Sequence, residues 1–385
     1  MHQWNPLGPA LWTIVTFSGR PGCWGTSTNL TNIFKMRMLK NLIVRIFRYL
    51  FVYCSIAIDL WDIYVHSILS IFLFVRPLPY IKTERSAILI TGVSSGIGRY
   101  LAHQFAYRGY TVFGTVRNAK DAQKFESDIS DLKTKGGKAY GHLHAVVMDV
   151  TDKEQCRAAV NSIEARLKRD DLHLHALINN AGFFADVPIA LSTDEFKEKM
   201  MDINFHGPAR LVQLFLPLLT KVKGSRIVNI GSVASFVSGP LLGVYGASKA
   251  ALRSYSEALN IEYAKLGVSV SHINTGSIDT RMMNQWKDRK PLSQSPYTNV
   301  DENDSDTPLY KDMQQLTDQA RDMVEYSSGL LYQSEQASCR RVERRLKGSW
   351  PLPHYYAGFD SKILRTLCSI MPDNLRVTLT GRQHK

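Results

Sequence analysis

Cysteine is scarce in this chain of 385 residues. Cys23, Cys54, Cys156, Cys339 and Cys368 lie far apart and form no Cys-x-x-Cys pair, so neither a disulfide framework nor a cysteine zinc site follows. The pairs His142/His144 and His173/His175 have no cysteine or carboxylate cluster beside them and read as strand-edge histidines, with no metal implied. Acidic residues are missing from residues 1–34, a stretch of Trp, Pro, Gly, Ser and Thr with Arg20 as its one Arg or Lys. Residues 1–35 therefore read as a flexible or processed leader and not a packed element. No basic run interleaved with aromatics follows residue 85, which argues against nucleic acid as a partner. Compositional bias is lacking too: 44% AVILMFWYC and 21% charged residues describe a chain that buries a core.

The net charge of +13 is uneven, with nine Lys/Arg against three Asp/Glu in residues 1–85. Such asymmetry suits a targeting or membrane-proximal segment. Lys35, Arg37, Lys40, Arg45 and Arg48 precede an apolar stretch from Tyr49 to Val75, and Arg76, Pro77 and Pro79 end it. About 20 apolar residues cross a bilayer, but Asp59 and Asp62 are costly at mid-membrane. A spanning anchor, an in-plane helix and a soluble packed helix all remain open for residues 36–80, the anchor being the leading expectation.

From Ser86 the texture changes. Ala87-Ile88-Leu89-Ile90 is a continuously apolar run, as a buried parallel strand should be. It leads into Thr91-Gly92-Val93-Ser94-Ser95-Gly96-Ile97-Gly98 and a helix to about Arg108. Glycines at a strand-to-helix turn let the backbone approach a pyrophosphate, and the helix N-terminus supplies donors. Strands follow at Thr111–Thr115, Ala145–Met148, Leu174–Ile178, Arg226–Ile230 and Val268–Ile273, separated by helices over about Lys120 onward, Lys153–Lys168, Thr193–Leu219 and Val244–Ala264. This alternation predicts an α/β fold: a doubly wound, Rossmann-type parallel sheet over residues 86–280. Residues 282–309 are polar and aperiodic and read as a functional, often lid-like, loop or else a disordered segment. Helices are expected near 309–326 and 331–347, the second basic, then a last strand at His354-Tyr355-Tyr356 and a helical end to about Arg376. Residues 281–376 are assigned to the same domain.

Tyr245 and Lys249 stand four residues apart in a helical run, hence on one face. An ammonium group beside a phenol favours the phenolate, which predicts a lowered pKa for Tyr245 and a proton donor for an alcohol oxygen. Ser232 follows the Arg226–Ile230 run, at the carboxyl end where open α/β sheets bind ligands. It sits in Ile-Gly-Ser-Val-Ala, not in a Gly-x-Ser-x-Gly elbow, which disfavours a serine hydrolase. The end of the second strand reads Thr115-Val116-Arg117 with no acid. An acid there would bind a ribose 2′-OH; Arg117 and the Ser95 hydroxyl instead suit a 2′-phosphate. NADP(H) is therefore the expected cofactor, with NAD(H) as the alternative.

With Thr91-Gly-x-x-x-Gly96-x-Gly98, Asp149, Asn179-Asn180-Ala181-Gly182, Asn204, Ser232 and Tyr245-x-x-x-Lys249 in this order, the chain resembles the short-chain dehydrogenase/reductase family. The tone, from Arg117 and the C-terminal Tyr-Ala-Gly-Phe-Asp-Ser-Lys-Ile-Leu stretch, is similar to 17β-hydroxysteroid and retinol dehydrogenases. The resemblance implies seven strands in the order 3-2-1-4-5-6-7 and a bound nicotinamide dinucleotide. It makes Tyr245 the acid/base, Lys249 its partner and a ribose contact, and Ser232 the substrate-oxygen ligand. Asn204 would organise a water that relays protons to Lys249. Cofactor contacts are implied at Thr91, Gly92, Ser94, Ser95, Gly96, Ile97, Gly98, Arg117, Asp149, Asn180, Ala181, Gly182, Tyr245, Lys249, Gly276, Ile278 and Thr280. One departure is Thr275-Gly276, where the family has Pro-Gly. The expected activity is hydride transfer between NADP(H) and a lipophilic alcohol or ketone of steroid, retinoid or acyl-lipid type. A NAD-dependent 3-hydroxy acid dehydrogenase and a non-catalytic dinucleotide sensor are the alternatives. Membrane association at the endoplasmic reticulum is expected, with the mitochondrion as the alternative, and a homodimer is compatible with the fold.

Overall fold

The computed structural model describes residues 81–133, 141–278, 290–300, 306–331 and 353–370, with single positions at 53, 57, 60, 61, 64, 65, 282, 339, 340, 342 and 343. All belong to the second of the two units of the chain, Phe51–Lys385. Seven strands, β1 (Ser86–Ile90), β2 (Thr111–Val116), β3 (Leu143–Val147), β4 (His173–Asn179), β5 (Ser225–Ser232), β6 (Val268–Thr275) and β7 (His354–Ala357), form one sheet in the order β3-β2-β1-β4-β5-β6-β7. Every neighbouring pair is parallel. The expected strand order is the observed one.

The helices are α1 (Gly96–Tyr107), α2 (Ala119–Lys133), α3 (Lys153–Arg169), α4 (Asp194–Met201), α5 (Gly207–Leu219), α6 (Gly243–Tyr263), α7 (Pro308–Leu331) and α8 (Phe359–Ile370). All five residues of β1 are buried, because the sheet is covered on both faces. Ile88 and Ile90 pack with Leu101 and Phe105 of α1, whereas Ala87 and Leu89 pack with Ile163 of α3 and Phe215 of α5. Successive side chains thus feed opposite layers, and each buried Ile or Leu contributes about 1.5–3 kcal/mol.

Three expectations need correction. The helix read over Thr193–Leu219 is interrupted by a π-helical turn, Asp202–His206, which carries Asn204. Proline is the cause: an α-helical Asn204 carbonyl takes its bond from residue 208, and Pro208 has no N–H to give. Part of the lid-like loop is pinned: Ser192 and Thr298 form an antiparallel bridge, and Thr193 N–H donates to the Tyr297 carbonyl at 3.1 Å. The first C-terminal helix also continues to Leu331. Of the second, residues 339, 340, 342 and 343 are helical, with Cys339 and Val342 in the core. The leader, most of residues 36–80, Thr280 and residues 371–376 lie outside the described residues.

Candidate active site

The glycine turn is shaped for close backbone approach. Gly92 and Gly96 have φ of +71° and +61°, where side chains are disfavoured. A Cβ on Gly98 would lie 2.4 Å from the Gly92 carbonyl oxygen and from Asn180 Nδ2. Ser95 caps α1 in extended conformation, its side chain takes no bond from the helix amides, and no acid lies in the first turn. These features fit a pyrophosphate at the α1 N-terminus. Ser94 is exposed and Ile97 partly buried in the same turn.

Thr91 and Asn180 brace the turn. Thr91 Oγ1 accepts from the N–H groups of Asn180 and Ala181, each at 2.9 Å. Asn180 Nδ2 donates back to the carbonyls of Thr91 and Gly92 at 2.9 and 3.1 Å. Gly92 N–H and Val93 N–H donate to the Thr115 carbonyl at 3.1 and 3.0 Å, so the turn leans on the end of β2. Two residues on, exposed Arg117 lines a cavity of about 860 Å³ with Asp149, Thr151 and residues of α4 and the π turn. The Asp149 carboxylate accepts from Thr151 N–H and Oγ1 at 2.9 and 2.8 Å.

Ser232, Tyr245, Lys249 and Asn204 converge at the carboxyl end of β5. The Ser232 side chain acts on the Tyr245 phenol, favouring its ionised form, and Ser232 Oγ accepts from Ala234 N–H at 3.2 Å. Lys249 Nζ lies 5.8 Å from the centre of the Tyr245 ring and donates to the Ile230 carbonyl at 3.1 Å. Gly182 faces the same spot: its Cβ would lie 3.5 Å from Asn204 Oδ1 and 3.6 Å from Lys249 Nζ. Phe184 stands edge-on to Tyr245, with ring centres 5.0 Å apart. Behind it Phe183, Phe196, Val187, Met200 and Tyr297 form an apolar cluster.

The expected lowering of the Tyr245 pKa is not found. Burial raises it, and the Ser232 side chain only opposes that shift. Burial also lowers Lys249 to about 8. Both charged forms lose hydration, and the Lys249 ammonium is aimed at a carbonyl and not at the phenol. The Asn204 side chain is fully buried and braces the segment that follows β4. Its Oδ1 accepts from Phe183 N–H at 2.8 Å, while Nδ2 contacts the Phe183 carbonyl, Met200 Sδ and Ser248 Oγ at 2.9, 3.1 and 3.0 Å.

The Thr275 departure has a purpose that sequence reasoning missed. Its hydroxyl donates to the Gly231 carbonyl at 2.8 Å, tying β6 to β5 one residue before Ser232. Asp360 was also missed: its carboxylate accepts from Ser277 N–H at 2.6 Å, beside Gly276 and Ile278. Nothing in local periodicity signals a partner that distant.

A family model described as short chain dehydrogenase matches residues 86–291, more than half of the chain. An NADPH-dependent 1-acyldihydroxyacetone phosphate reductase of Schizosaccharomyces pombe is 36% identical over 217 residues, 56% of this chain and 66% of that one. The human 17-beta-hydroxysteroid dehydrogenase type 2 is 32% identical over 207 residues, 52% of this chain and 50% of that protein. The chain thus spans between half and two thirds of these relatives. A short chain dehydrogenase of Burkholderia cenocepacia in complex with NADP shares the fold, with a TM-score of 0.55 and 22% identity over 73% of this chain and all of that one (100%).

Proposed function

Because the chain belongs to the short-chain dehydrogenase family, NAD(P)-dependent oxidoreductases acting on CH–OH groups, we propose that it transfers hydride between NADP(H) and a lipophilic alcohol or ketone of steroid, retinoid or acyl-lipid type. The observation that carries this reading is the meeting of Ser232, Tyr245 and Lys249 at the end of β5. The bound nicotinamide supplies or takes the hydride. Tyr245, kept protonated by burial, gives its proton to the substrate oxygen, and Ser232 holds that oxygen. Lys249, near pKa 8, returns a proton to the phenol, and Asn204, whose Oδ1 faces the same spot beside Gly182, organises a relay water.

Arg117 without an acid at the end of β2 supports NADP(H), and the yeast relative is named as NADPH-dependent. The aromatic cluster behind Tyr245 supports a lipophilic substrate, as do the acyl and steroid substrates in the relatives' names. Residues 36–80 tether the enzyme to a membrane of the endoplasmic reticulum in this reading. Helical Tyr53, Leu60, Trp61 and Tyr64 there are 61–69% exposed, an apolar stripe suited to a lipid interface. No described helix is long and apolar enough to cross a membrane, so alkaline-carbonate fractionation with and without residues 1–80 tests the tether. Pairing of two chains is part of the same proposal and is tested by the mass of the detergent-solubilised protein.

The deciding experiment is cofactor oxidation by detergent-solubilised full-length protein, with NADPH and NADH in parallel, against steroid ketones, retinal and acyl ketones. Turnover with one lipophilic class, faster with NADPH, is expected. Cofactor binding without turnover of any substrate would leave a sensor.

A further inference from the structure

The residues after β6 turn across the carboxyl edge of the sheet, where Thr275 pairs with Ser232 in register. That turn is gripped by the start of α8. Gly276 N–H donates to the Ala357 carbonyl at 2.9 Å, and Ser277 N–H donates to Asp360 Oδ2 at 2.6 Å. Asp360 Oδ1 accepts from Ser361 N–H at 2.8 Å, while Ser361 Oγ donates to the Asn274 carbonyl at 2.9 Å. Asn274 Oδ1 accepts from Ser235 Oγ at 2.8 Å, three residues beyond Ser232. Asp360 is 8% exposed, and a buried carboxylate is costly unless hydrogen-bonded. Space is reciprocal as well: a Cβ on Gly276 would lie 2.0 Å from Asp360 Oδ1. The carboxylate fills the volume that any other residue at 276 would need.

The sheet order says which part of a dinucleotide this turn meets. Arg117 and Asp149 follow β2 and β3 on one side of the glycine turn; Ser232 and Gly276 follow β5 and β6 on the other. A dinucleotide laid across the turn, with its reactive end at Ser232 and Tyr245, has that end beside Gly276–Ile278. We propose that Asp360 is a positioning residue for the nicotinamide half of the cofactor site, holding Gly276–Ile278 through the Ser277 amide. The proposal rests on the dinucleotide reading given above. A plain helix cap would serve only the amides of its own helix; Asp360 reaches 83 residues back along the chain.

The test compares two ligands on full-length protein in detergent: NADPH, and adenosine 2′,5′-bisphosphate, which lacks the nicotinamide half. Affinities are measured by fluorescence titration for the unmutated protein, Asp360→Ala and Asp360→Asn. Asp360→Ala should weaken NADPH about tenfold, as loss of a hydrogen bond to a charged group implies, and leave the bisphosphate within about twofold. Asp360→Asn keeps an acceptor for Ser277 and should recover most of the loss. If Asp360→Ala does not fold, a smaller loss confined to NADPH in Asp360→Asn upholds the proposal, and no such loss overturns it. Equal weakening of both ligands, or unchanged NADPH binding in Asp360→Ala, overturns it alone. Failure of the unmutated protein to bind either NADPH or NADH overturns the dinucleotide reading with it. If NADH is the tighter cofactor, ADP-ribose is the truncated probe and the same outcomes decide.

Discussion

Thr275 Oγ1 donates to the Gly231 carbonyl oxygen at 2.8 Å and so ties the ends of β5 and β6 together one residue before Ser232. A proline at 275 has no hydroxyl to do this. Thr275→Val keeps the shape and removes the bond, a loss of about 0.5–1.5 kcal/mol. Turnover should fall about three- to tenfold with the melting temperature lowered slightly, and Thr275→Ser should restore it. Steady-state kinetics on both variants checks this; full activity in Thr275→Val would show that the bond does not position Ser232.

The proposed preference for NADP(H) rests on the end of β2. Val116→Asp places an acid where a ribose 2′-OH is bound and a 2′-phosphate is repelled. The ratio of NADPH to NADH affinity should fall by about tenfold or more, since each 1.4 kcal/mol is one decade. Equal or tighter NADH binding by the unmutated protein would contradict the NADP(H) assignment.

Lys249, brought down to about 8 by burial, sets a limb in the pH profile. In the proposed ketone reduction its ammonium serves a protonated Tyr245, whose own pKa is raised. The reduction rate should therefore hold below about pH 8 and decline above it. In Lys249→Arg, charged throughout this range, the residual rate should lose that limb. An unchanged limb in the variant would assign it to another group.

His272 is fully buried, and neither ring nitrogen has a hydrogen-bond partner among the described residues. Burial and the nearby His354, Lys249 and Arg253 charges hold its pKa well below 6.5. The unfolded chain takes up a proton near 6.5 that the native state refuses, so stability is full above that pH and falls as pH drops below it. His272→Leu should make the fall shallower by up to one proton's worth of slope. Urea midpoints from about pH 8 down to about pH 5 measure it; identical slopes would remove His272 as the cause.

Legibility in the sequence followed the range of the interaction. The apolar run of β1 and the strict alternation of elements carry the parallel, doubly wound sheet, because burial on both faces leaves a local signature, whereas the strand order came from the family resemblance. Ser232, Tyr245, Lys249 and the glycine turn were readable for the same reason, their spacing along one strand or helix being local. Burial was not. The four-residue spacing places Lys249 near Tyr245 but does not show the burial of their surroundings, which reverses the expected shift on the phenol. The grip of Asp360 on Ser277 and the pairing of Ser192 with Thr298 join distant segments, and no periodicity records them. The π turn at Asn204 was written in the sequence as Pro208, hidden inside a strongly helical pattern.

The most direct test is Tyr245→Phe, compared with unmutated protein for NADPH affinity and for turnover of the substrate found in the screen. The change deletes the phenol oxygen and leaves the ring that packs edge-on with Phe184. NADPH affinity should stay within about twofold while turnover drops about 10²–10⁴-fold, the range for a lost acid/base group. Near-normal turnover in the folded variant would contradict Tyr245 as the proton donor.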